Sequence, residues 1–397
     1  MARIIFFLID GFSDPPSLKT PLRLSKKPFL NSILNNIFLA NFLPLEKPFW
    51  PKQGNRSVTG LANLGILGYK IKPEKLKRGP LEAYGADIKL KKNEIALRVD
   101  FGSVDNNLIV IDRRAGRNTF GFEILEKDIN QQNFDINFHF YRTYGHRGVL
   151  IFKGKLSDKI SDSDPYEKNR KVKKIRALDK NYLSKKTARL VWSFLIQIYN
   201  FLKNHEINKE RIKRGLLPAN FLLTRETGKN LPKLKNFFKD KNIKNGLVIA
   251  ENGVVKGGCK LVGFNCLTLP EIENIEKRYE FYKNGIENNF NKYDLIYIHL
   301  KEADEASHDK NFEKKLKFFE FFDKWFEKIY LKFKETIFVI TGDHLTDVKS
   351  GKHQWGFLPI IIINSKFKNK PKEISEIEAQ KSGILIKPKE LWNFYLK

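Results

Sequence analysis

The feature that most constrains the fold of this chain is a set of short, wholly apolar runs that alternate with amphipathic helical patterns. The runs cover residues 4–9, 247–250, 295–300, 337–340 and 358–363. Apolar residues recur at helical spacing between several of them, as at 271–288 and 312–332. Strands that alternate with helices are typical of βαβ units. The sequence therefore predicts an α/β fold with a mostly parallel sheet flanked by helices.

The pattern changes between residues 86 and 175, where short alternating segments replace the apolar runs. These segments cover residues 94–101, 107–112, 134–141 and 148–152. Alternation of this kind, with few helix signals, is typical of a smaller α+β domain. We therefore predict an inserted domain at 86–175, within a discontinuous core formed by 1–85 and 176–397.

Composition excludes several classes of protein. The 397 residues are 41% hydrophobic, which is enough for ordinary buried cores and argues against disorder. No apolar run approaches the ~18 residues that a membrane helix needs. The first run passes directly into Asp10 and Gly11 without the features of a signal peptide. We therefore expect a cytoplasmic protein with no membrane partner.

The chain is strongly basic, with 73 Lys and Arg against 45 Asp and Glu and a net charge of +28. Such an excess raises nucleic acids and anionic substrates as partners. The basic residues are widely spread, however, and only 168–186 is locally dense. That segment has no recognisable nucleic-acid-binding motif, so we expect no nucleic-acid partner. Composition leaves the oligomeric state open.

Polar side chains cluster where the predicted core strands begin or end. In an open parallel sheet the ligand site lies beyond the carboxyl ends of the strands. Three carboxylates and three imidazoles stand there, at Asp10, Asp304, His308, Asp343, His344 and His353. Mixed carboxylate and imidazole shells suit Zn²⁺ and Mn²⁺, whereas the two cysteines lack zinc-site spacing. The set predicts a site for two divalent ions, although each residue alone is as compatible with a cap or surface role.

A hydroxyl residue that could work with such ions lies in the segment GNRSVTGLANLGILGY, residues 54–69. Both Ser57 and Thr59 precede a helical apolar pattern. The N-terminus of a helix presents free N–H groups and the positive end of the dipole, which favour an anionic nucleophile and its phosphoryl adduct. The alternative is a plain helix cap without catalysis.

Taken together, these segments resemble the archaeal-type cofactor-independent phosphoglycerate mutases, members of the alkaline phosphatase superfamily. The resemblance covers nearly the whole chain, through motifs that occur in one order: IDGFSDPP, ANLGILGY, RGPLEAYGADI, DRRAGR, HRGVLIFKG, LSDKISDSDP, HLKEADEASHD and TGDHLTD. It implies an alkaline-phosphatase-like core and an isomerase of glycolysis and gluconeogenesis. The reaction implied is the interconversion of 2- and 3-phosphoglycerate through a phosphorylated enzyme, without 2,3-bisphosphoglycerate.

The resemblance also implies roles for individual residues. One ion would be held by Asp10, Thr59, Asp343 and His344, and the other by Asp304, His308 and His353. The metal would be Mn²⁺, Zn²⁺, Co²⁺ or Mg²⁺. The phosphorylated acid would be bound by Asp112, Arg113, Arg114, Arg117, Arg147, Asp162 and Arg225. An acid/base pair drawn from His146 and Asp164 would handle the hydroxyl of the sugar acid. The alternative for any one arginine is a surface salt bridge.

The chain departs from the family pattern around these residues. Family members usually read Gly-Ser-Asp where this chain has Val58, Thr59 and Gly60. A one-residue gap would place Ser57 at the nucleophile instead, so Thr59 and Ser57 both remain candidates. The loop at 356–359 also differs from the family's sequence. These differences leave a second interpretation open, in which the same machinery serves a phosphomonoester hydrolase or a homoserine-kinase-like phosphotransferase acting on another small acid.

Overall fold

The structure is a computed structural model that describes residues 3–51, 58–239 and 241–396. Its strands are β1 (Ile4–Ile9), β2 (Ile37–Phe42), β3 (Glu94–Val104), β4 (Val110–Asp112), β5 (Asn137–Tyr144), β6 (Arg147–Lys153), β7 (Phe221–Gly228), β8 (Gly246–Ala250), β9 (Asn265–Thr268), β10 (Leu295–Leu300), β11 (Ile337–Thr341), β12 (Leu345–Asp347), β13 (Lys352–Gln354), β14 (Leu358–Ile363) and β15 (Leu385–Ile386). Its α-helices are α1 (Pro21–Leu24), α2 (Pro28–Ser32), α3 (Val58–Ile66), α4 (Arg78–Gly85), α5 (Phe122–Asn130), α6 (Tyr182–Lys203), α7 (Glu206–Lys213), α8 (Val254–Leu261), α9 (Ile275–Asn289), α10 (Glu302–His308), α11 (Phe312–Lys332), α12 (Glu376–Lys381) and α13 (Pro388–Glu390).

The chain divides into two compact units. Unit 1 comprises Met1–Pro73, Lys233–Glu251 and Gly258–Lys397, and unit 2 comprises Glu74–Pro232 and Asn252–Gly257. No helix within the described ranges is long and apolar enough to cross a membrane.

Unit 1 contains a sheet in the order β15-β2-β14-β11-β1-β10-β8-β9. The pairs that β1 makes with β10 and β11 are parallel, as are β10 with β8 and β8 with β9. The strand β14 instead runs antiparallel to both β11 and β2. The predicted α/β class with a mostly parallel sheet is confirmed.

Side chains bury both faces of the central strand β1. Phe7 packs edge-on against Phe322 and Phe326 of α11, while Phe6 on the opposite face stacks on Tyr297 of β10. Burial on both faces explains why the strand reads as a continuous apolar run and not as an alternating one. The covering helix α11 begins where the Asn311 side chain accepts a hydrogen bond from the Lys314 amide, an N-cap of the usual kind.

Unit 2 is built on an antiparallel sheet in which β3 pairs with β4, β6 and β7, and β5 pairs with β6. Its bounds differ from the predicted insertion at 86–175. The helix α4 belongs to this unit because Ala83 packs against Ala96, Val149 and Ile151 of the sheet. Residues after 175 belong to it because β7 supplies a sheet strand and α6 buries Phe194 and Ile198 in the same core.

Candidate active site

Five of the predicted metal ligands follow the ends of three adjacent strands of unit 1. Asp10 follows β1, whose neighbours are β10 and β11, so the turns after all three strands meet at one edge of the sheet. Gly11 makes the turn after Asp10 with a φ of +65°, and a Cβ there would lie 2.8 Å from the Asp304 Cα. Glycine at this position therefore allows the β1 turn to approach α10 closely.

The first set of donor atoms, which we call the outer group, consists of Asp304, His308 and His353. Asp304 and His308 lie one helical turn apart on α10, with 3.3 Å between Asp304 Oδ2 and His308 Nε2. His353, on β13, places its Nε2 3.3 Å from Asp304 Oδ1. The three side chains are partly exposed, at 16%, 24% and 9% respectively, so the group is open to solvent.

The second set, which we call the inner group, consists of Asp10, Asp304 and His344. His344 Nε2 lies 3.1 Å from Asp10 Oδ1 and 3.4 Å from Asp343 Oδ2. Asp10, Asp343 and His344 are all buried. Asp304 belongs to both groups, so the structure brings all six of the predicted carboxylates and imidazoles together.

Hydrogen bonds at Nδ1 of His308 and of His344 indicate which nitrogen of each ring carries the proton. His308 Nδ1 lies 2.9 Å from the Gly351 carbonyl, which can only accept, so Nδ1 donates and Nε2 is left with a lone pair. The Thr346 hydroxyl donates to Asp304 Oδ1 at 3.0 Å and lies 3.0 Å from His344 Nδ1, from which it accepts. His344 Nε2 therefore also presents a lone pair, the arrangement that metal-binding imidazoles use.

This proton placement leaves three electron-rich atoms close to one another, two in the inner group and one on the adjacent Asp343. Asp10 Oδ1, Asp343 Oδ2 and His344 Nε2 are buried and have no hydrogen-bond partner among the described residues. Buried polar atoms are normally satisfied, and a group of unsatisfied acceptors is a suitable site for a cation. Oxygen and imidazole donors in this number fit a divalent metal ion.

The carboxyl pKa values reflect the same crowding. Burial and the charge of Asp10 raise the pKa of Asp343 well above its ordinary value. Burial also opposes ionisation of Asp304, but His308 and His353, in their protonated forms, outweigh it and hold the pKa of that carboxyl well below its ordinary value. Burial and the charge of Asp304 also oppose ionisation of Asp10, but the imidazoles of His299 and His344, in their protonated forms, outweigh both and lower the pKa of that carboxyl.

The predicted hydroxyl residues lie at the start of α3. Thr59 is half-buried and is the second residue of the helix. Its carbonyl accepts a hydrogen bond of 2.8 Å from the Asn63 side chain, and Asn63 Oδ1 in turn accepts one of 3.0 Å from the Tyr297 hydroxyl on β10. The alternative candidate, Ser57, lies outside the described residues. The role of the Thr59 hydroxyl remains a prediction.

Two residues of this site were not predicted from the sequence. His299 is buried on β10 with its Nε2 3.5 Å from Asp10 Oδ2. A single imidazole within an otherwise apolar strand was the available signal. Thr346 contacts one ligand of each group and offered no sequence signal, because a lone threonine after TGDH is compatible with any role.

In unit 2, the predicted base His146 lies among guanidinium groups. Burial, with the charges of Arg147, Arg114, Arg98 and Arg117, holds the pKa of His146 well below its ordinary value. Arg225 is also buried, and burial lowers the pKa of its guanidinium. The predicted arginines 114, 117 and 147 therefore share one electrostatic environment, which suits the binding of a phosphate or carboxylate.

The predicted acid/base partner Asp164 lies in a different set of contacts from His146. It accepts hydrogen bonds from Arg113 Nε at 3.0 Å and Nη2 at 2.6 Å, a bidentate pair, and lies 3.4 Å from Arg225 Nε. Its neighbour Asp162 accepts a hydrogen bond of 2.6 Å from the Tyr166 hydroxyl. Asp164 therefore joins Arg113 to Arg225, whereas Asp162 holds Tyr166, and the predicted roles of the two aspartates in catalysis and substrate binding remain predictions.

Asp112 organises the DRRAGR loop. Its Oδ1 accepts hydrogen bonds from the backbone amides of Arg114 at 2.7 Å and Gly116 at 3.2 Å. Residues 115–117 have positive φ values of 45°, 70° and 61°. This left-handed run is uncommon for residues with a side chain. The Asp112 carboxylate thus stabilises the loop that carries Arg113, Arg114 and Arg117, and any contact of its own with substrate remains a prediction.

The sequence is similar to known proteins over nearly its whole length. The model of a family described as 2,3-bisphosphoglycerate-independent phosphoglycerate mutase matches residues 51–208. The chain is 36% identical to 2,3-bisphosphoglycerate-independent phosphoglycerate mutase 1 of Methanocaldococcus jannaschii, over 91% of this chain and 88% of that protein. It is 33% identical to the mutase of that name from Sulfolobus acidocaldarius, over 99% of this chain and 96% of the relative. The chain belongs to this family.

Solved structures agree with the assignment to the cofactor-independent phosphoglycerate mutases. The cofactor-independent phosphoglycerate mutase of Thermoplasma acidophilum is 25% identical, with a TM-score of 0.56 and coverage of 99% of this chain and 98% of that chain. A protein from Pyrococcus horikoshii, also 25% identical, has a TM-score of 0.68 over 96% and 92% of the two chains. The predicted family is confirmed, and with it an enzyme of the isomerase class.

Proposed function

We propose that this protein interconverts 2- and 3-phosphoglycerate without 2,3-bisphosphoglycerate, using two divalent ions and a phosphorylated Thr59. The observation that carries the proposal is the pair of donor groups in unit 1, with three buried, unsatisfied acceptor atoms on Asp10, His344 and the adjacent Asp343. Membership of the mutase family supplies the reaction class, and the guanidinium cluster of unit 2 suits a small phosphorylated acid.

In this proposal Asp10, Asp343, His344 and the Thr59 hydroxyl hold one ion, and Asp304, His308 and His353 hold the other. When bound, such ions stabilise the charge that develops on a transferring phosphoryl group and favour ionisation of a hydroxyl. The metals are Mn²⁺, Zn²⁺, Co²⁺ or Mg²⁺. Thr346 and Gly351 fix the two imidazoles whose Nε2 atoms serve as ligands.

The remaining steps belong to the chain's own residues. The Thr59 oxygen takes the phosphoryl group and later returns it to the other hydroxyl of the glycerate. The arginine cluster of unit 2 binds the charged groups of the acid, so that the same molecule is retained between the two transfers. His146 accepts the proton of the attacking hydroxyl and gives it back when the reaction runs in the other direction.

A pair of turnover assays tests the reaction. With saturating Mn²⁺ and 3-phosphoglycerate, we expect formation of 2-phosphoglycerate in an enolase-coupled assay, with little free phosphate. Rapid phosphate release without isomer would make the protein a phosphomonoester hydrolase. Turnover of neither kind would point to another acceptor, such as an amino-acid alcohol.

Covalent catalysis is tested by mass spectrometry of protein quenched with substrate. Phosphate should be found on the Thr59 residue of the wild-type protein. Thr59→Ala should lose the phosphopeptide and lower kcat by about 10³-fold or more, because a nucleophile is removed. The matched control, Thr59→Ser, keeps a hydroxyl and should retain both. Phosphate on Ser57 would transfer the role to that residue, and full activity of Thr59→Ala with no phosphopeptide would refute a covalent intermediate.

A further inference from the structure

One buried carboxylate in unit 2 lies against two buried arginines and the predicted base His146. Asp100 lies on β3 and is 2% exposed. Its Oδ1 accepts a hydrogen bond of 2.6 Å from Arg98 Nη2, and its Oδ2 accepts one from Arg225 Nη2. The same Oδ1 lies 3.6 Å from Nε2 of His146. Asp100 therefore joins two arginines and the predicted base.

The main chain holds His146 and Asp100 next to each other. The amide of Phe101, the residue after Asp100, donates a hydrogen bond of 2.8 Å to the His146 carbonyl. Asp100 also pairs with Arg147, the residue after His146, in the register of β3 with β6. Because both neighbours are paired through the backbone, the carboxylate and imidazole are constrained independently of any ligand.

The charges around His146 make the orientation of its ring matter. The cationic groups that act on it are Arg98 on β3, Arg147 on β6, and Arg114 and Arg117 on the loop after β4. Asp100 brings a carboxylate oxygen to 3.6 Å from Nε2 of the ring. A carboxylate on one side favours the tautomer with the proton on the nitrogen that faces it. Nε2 faces Asp100, so Nδ1 is the nitrogen left with a lone pair.

We propose that Asp100 is a positioning residue for the reaction, which fixes His146 as the Nε2–H tautomer and holds Arg225 beside it. The inference rests on the proposed function for its consequence in catalysis. As the new O–P bond forms, the bond between phosphorus and the Thr59 oxygen breaks, and the proton of the attacking glycerate hydroxyl passes to His146 Nδ1. In the reverse direction Nδ1 returns that proton to the leaving oxygen. Asp100 itself keeps its charge throughout.

The pH dependence of kcat distinguishes this role from a merely structural one. His146 acts as a base only when neutral, so its protonation produces the acidic limb of the profile. A nearby carboxylate raises the pKa of an imidazole, and removing it lowers that pKa. Asp100→Asn should therefore move the acidic limb to lower pH by about one to three pH units and lower kcat by about 10²-fold, because the tautomer is no longer fixed.

Glu82→Gln is the matched control. Glu82 is equally buried, also accepts a hydrogen bond from Arg98, at 3.0 Å, and bonds the Thr143 hydroxyl at 3.1 Å. It should affect folding stability without moving the acidic limb. All pH profiles are measured in saturating Mn²⁺. Asp100→Glu keeps the negative charge, so its acidic limb should lie at the same pH as that of the wild type. An unshifted limb in Asp100→Asn, or an equal shift in Glu82→Gln, would overturn the proposal.

Nitrogen-15 NMR of the imidazoles tests the tautomer without any turnover. The His146 signal is assigned as the one missing from His146→Gln. We expect the Nε2–H form in the wild-type protein and a mixture in Asp100→Asn. An Nδ1–H form in the wild type would refute the inference even if Asp100→Asn does not fold. Failure of the wild type to isomerise phosphoglycerate would refute the proposed function, and the NMR result would still decide the role of Asp100.

Discussion

The Thr346 hydroxyl bridges the two metal-ligand groups, so replacing it tests whether they bind metal as proposed. Thr346 is fully buried, accepts from His344 Nδ1 and donates to Asp304 Oδ1, each at 3.0 Å. Thr346→Val has nearly the same shape and removes both hydrogen bonds. In the variant the His344 proton is free to move to Nε2, which lies 3.1 Å from Asp10 Oδ1. That proton would occupy the position a cation needs.

The size of the effect follows from these contacts. A buried polar group that loses its partner costs about 1–3 kcal/mol. Removing an outer hydrogen-bond partner of a metal ligand weakens metal affinity by about 10–100-fold, which corresponds to about 1.4–2.8 kcal/mol. The cost of the lost hydrogen bond and the expected loss of metal-binding free energy are therefore of the same size. Because the free protein can recover one hydrogen bond through the other His344 tautomer, most of the loss should appear in metal binding and less in folding stability.

The assay is competition for Mn²⁺ or Zn²⁺ with a chromophoric chelator, with denaturant unfolding measured on the same samples. Thr341→Val is the matched control. Thr341 is equally buried, and its hydroxyl donates a hydrogen bond of 2.8 Å to the Pro359 carbonyl and not to a metal ligand. We expect the Kd for at least one ion to rise about 10–100-fold in Thr346→Val. The Kd should stay within about twofold of wild type in Thr341→Val. An unchanged Kd in the first variant, or an equal rise in the second, would refute the assigned proton positions.

Two further predictions concern the shared ligand and a buried lysine. Asp304→Ala should remove the ion that Asp304 holds with His308 and His353, and should also disturb the other ion because Asp304 lies within reach of Asp10 and His344. His353→Ala should affect only the first of these ions. Each variant should lower kcat by about 10³-fold or more, and elemental analysis showing two retained ions in Asp304→Ala would contradict this. Burial lowers the pKa of Lys27 from 10.5 to about 8, so between these pH values the unfolded chain holds more protons and stability should rise with pH, by up to about 3 kcal/mol. Denaturant unfolding from pH 7.5 to 10.5 should show that rise in the wild type relative to Lys27→Met, and parallel curves would contradict it.

Sequence alone determined the elements whose signal is local. The strands β1, β10 and β14 and the helix α11 have the predicted bounds. A strand buried on both faces must be apolar at every position, whatever its neighbours are, so its composition is visible without the fold. The proximity of five of the six predicted carboxylates and imidazoles was predictable for a related reason, whereas His353 precedes a strand and is brought to them by folding. Ligands in a parallel sheet follow the strands directly, and chain order then indicates spatial proximity.

Tertiary structure decided what depends on pairing between distant residues. The antiparallel direction of β14 and the placement of β7 and α6 in unit 2 follow from hydrogen bonds and packing. The hydrophobic periodicity of the sequence does not show either of them. The roles of Thr346 and Asp100 are of the same kind. Each residue acts through groups from separate parts of the chain. The role of such a hydroxyl or carboxylate cannot be predicted from the sequence, because it depends on partners that only folding brings within hydrogen-bond distance.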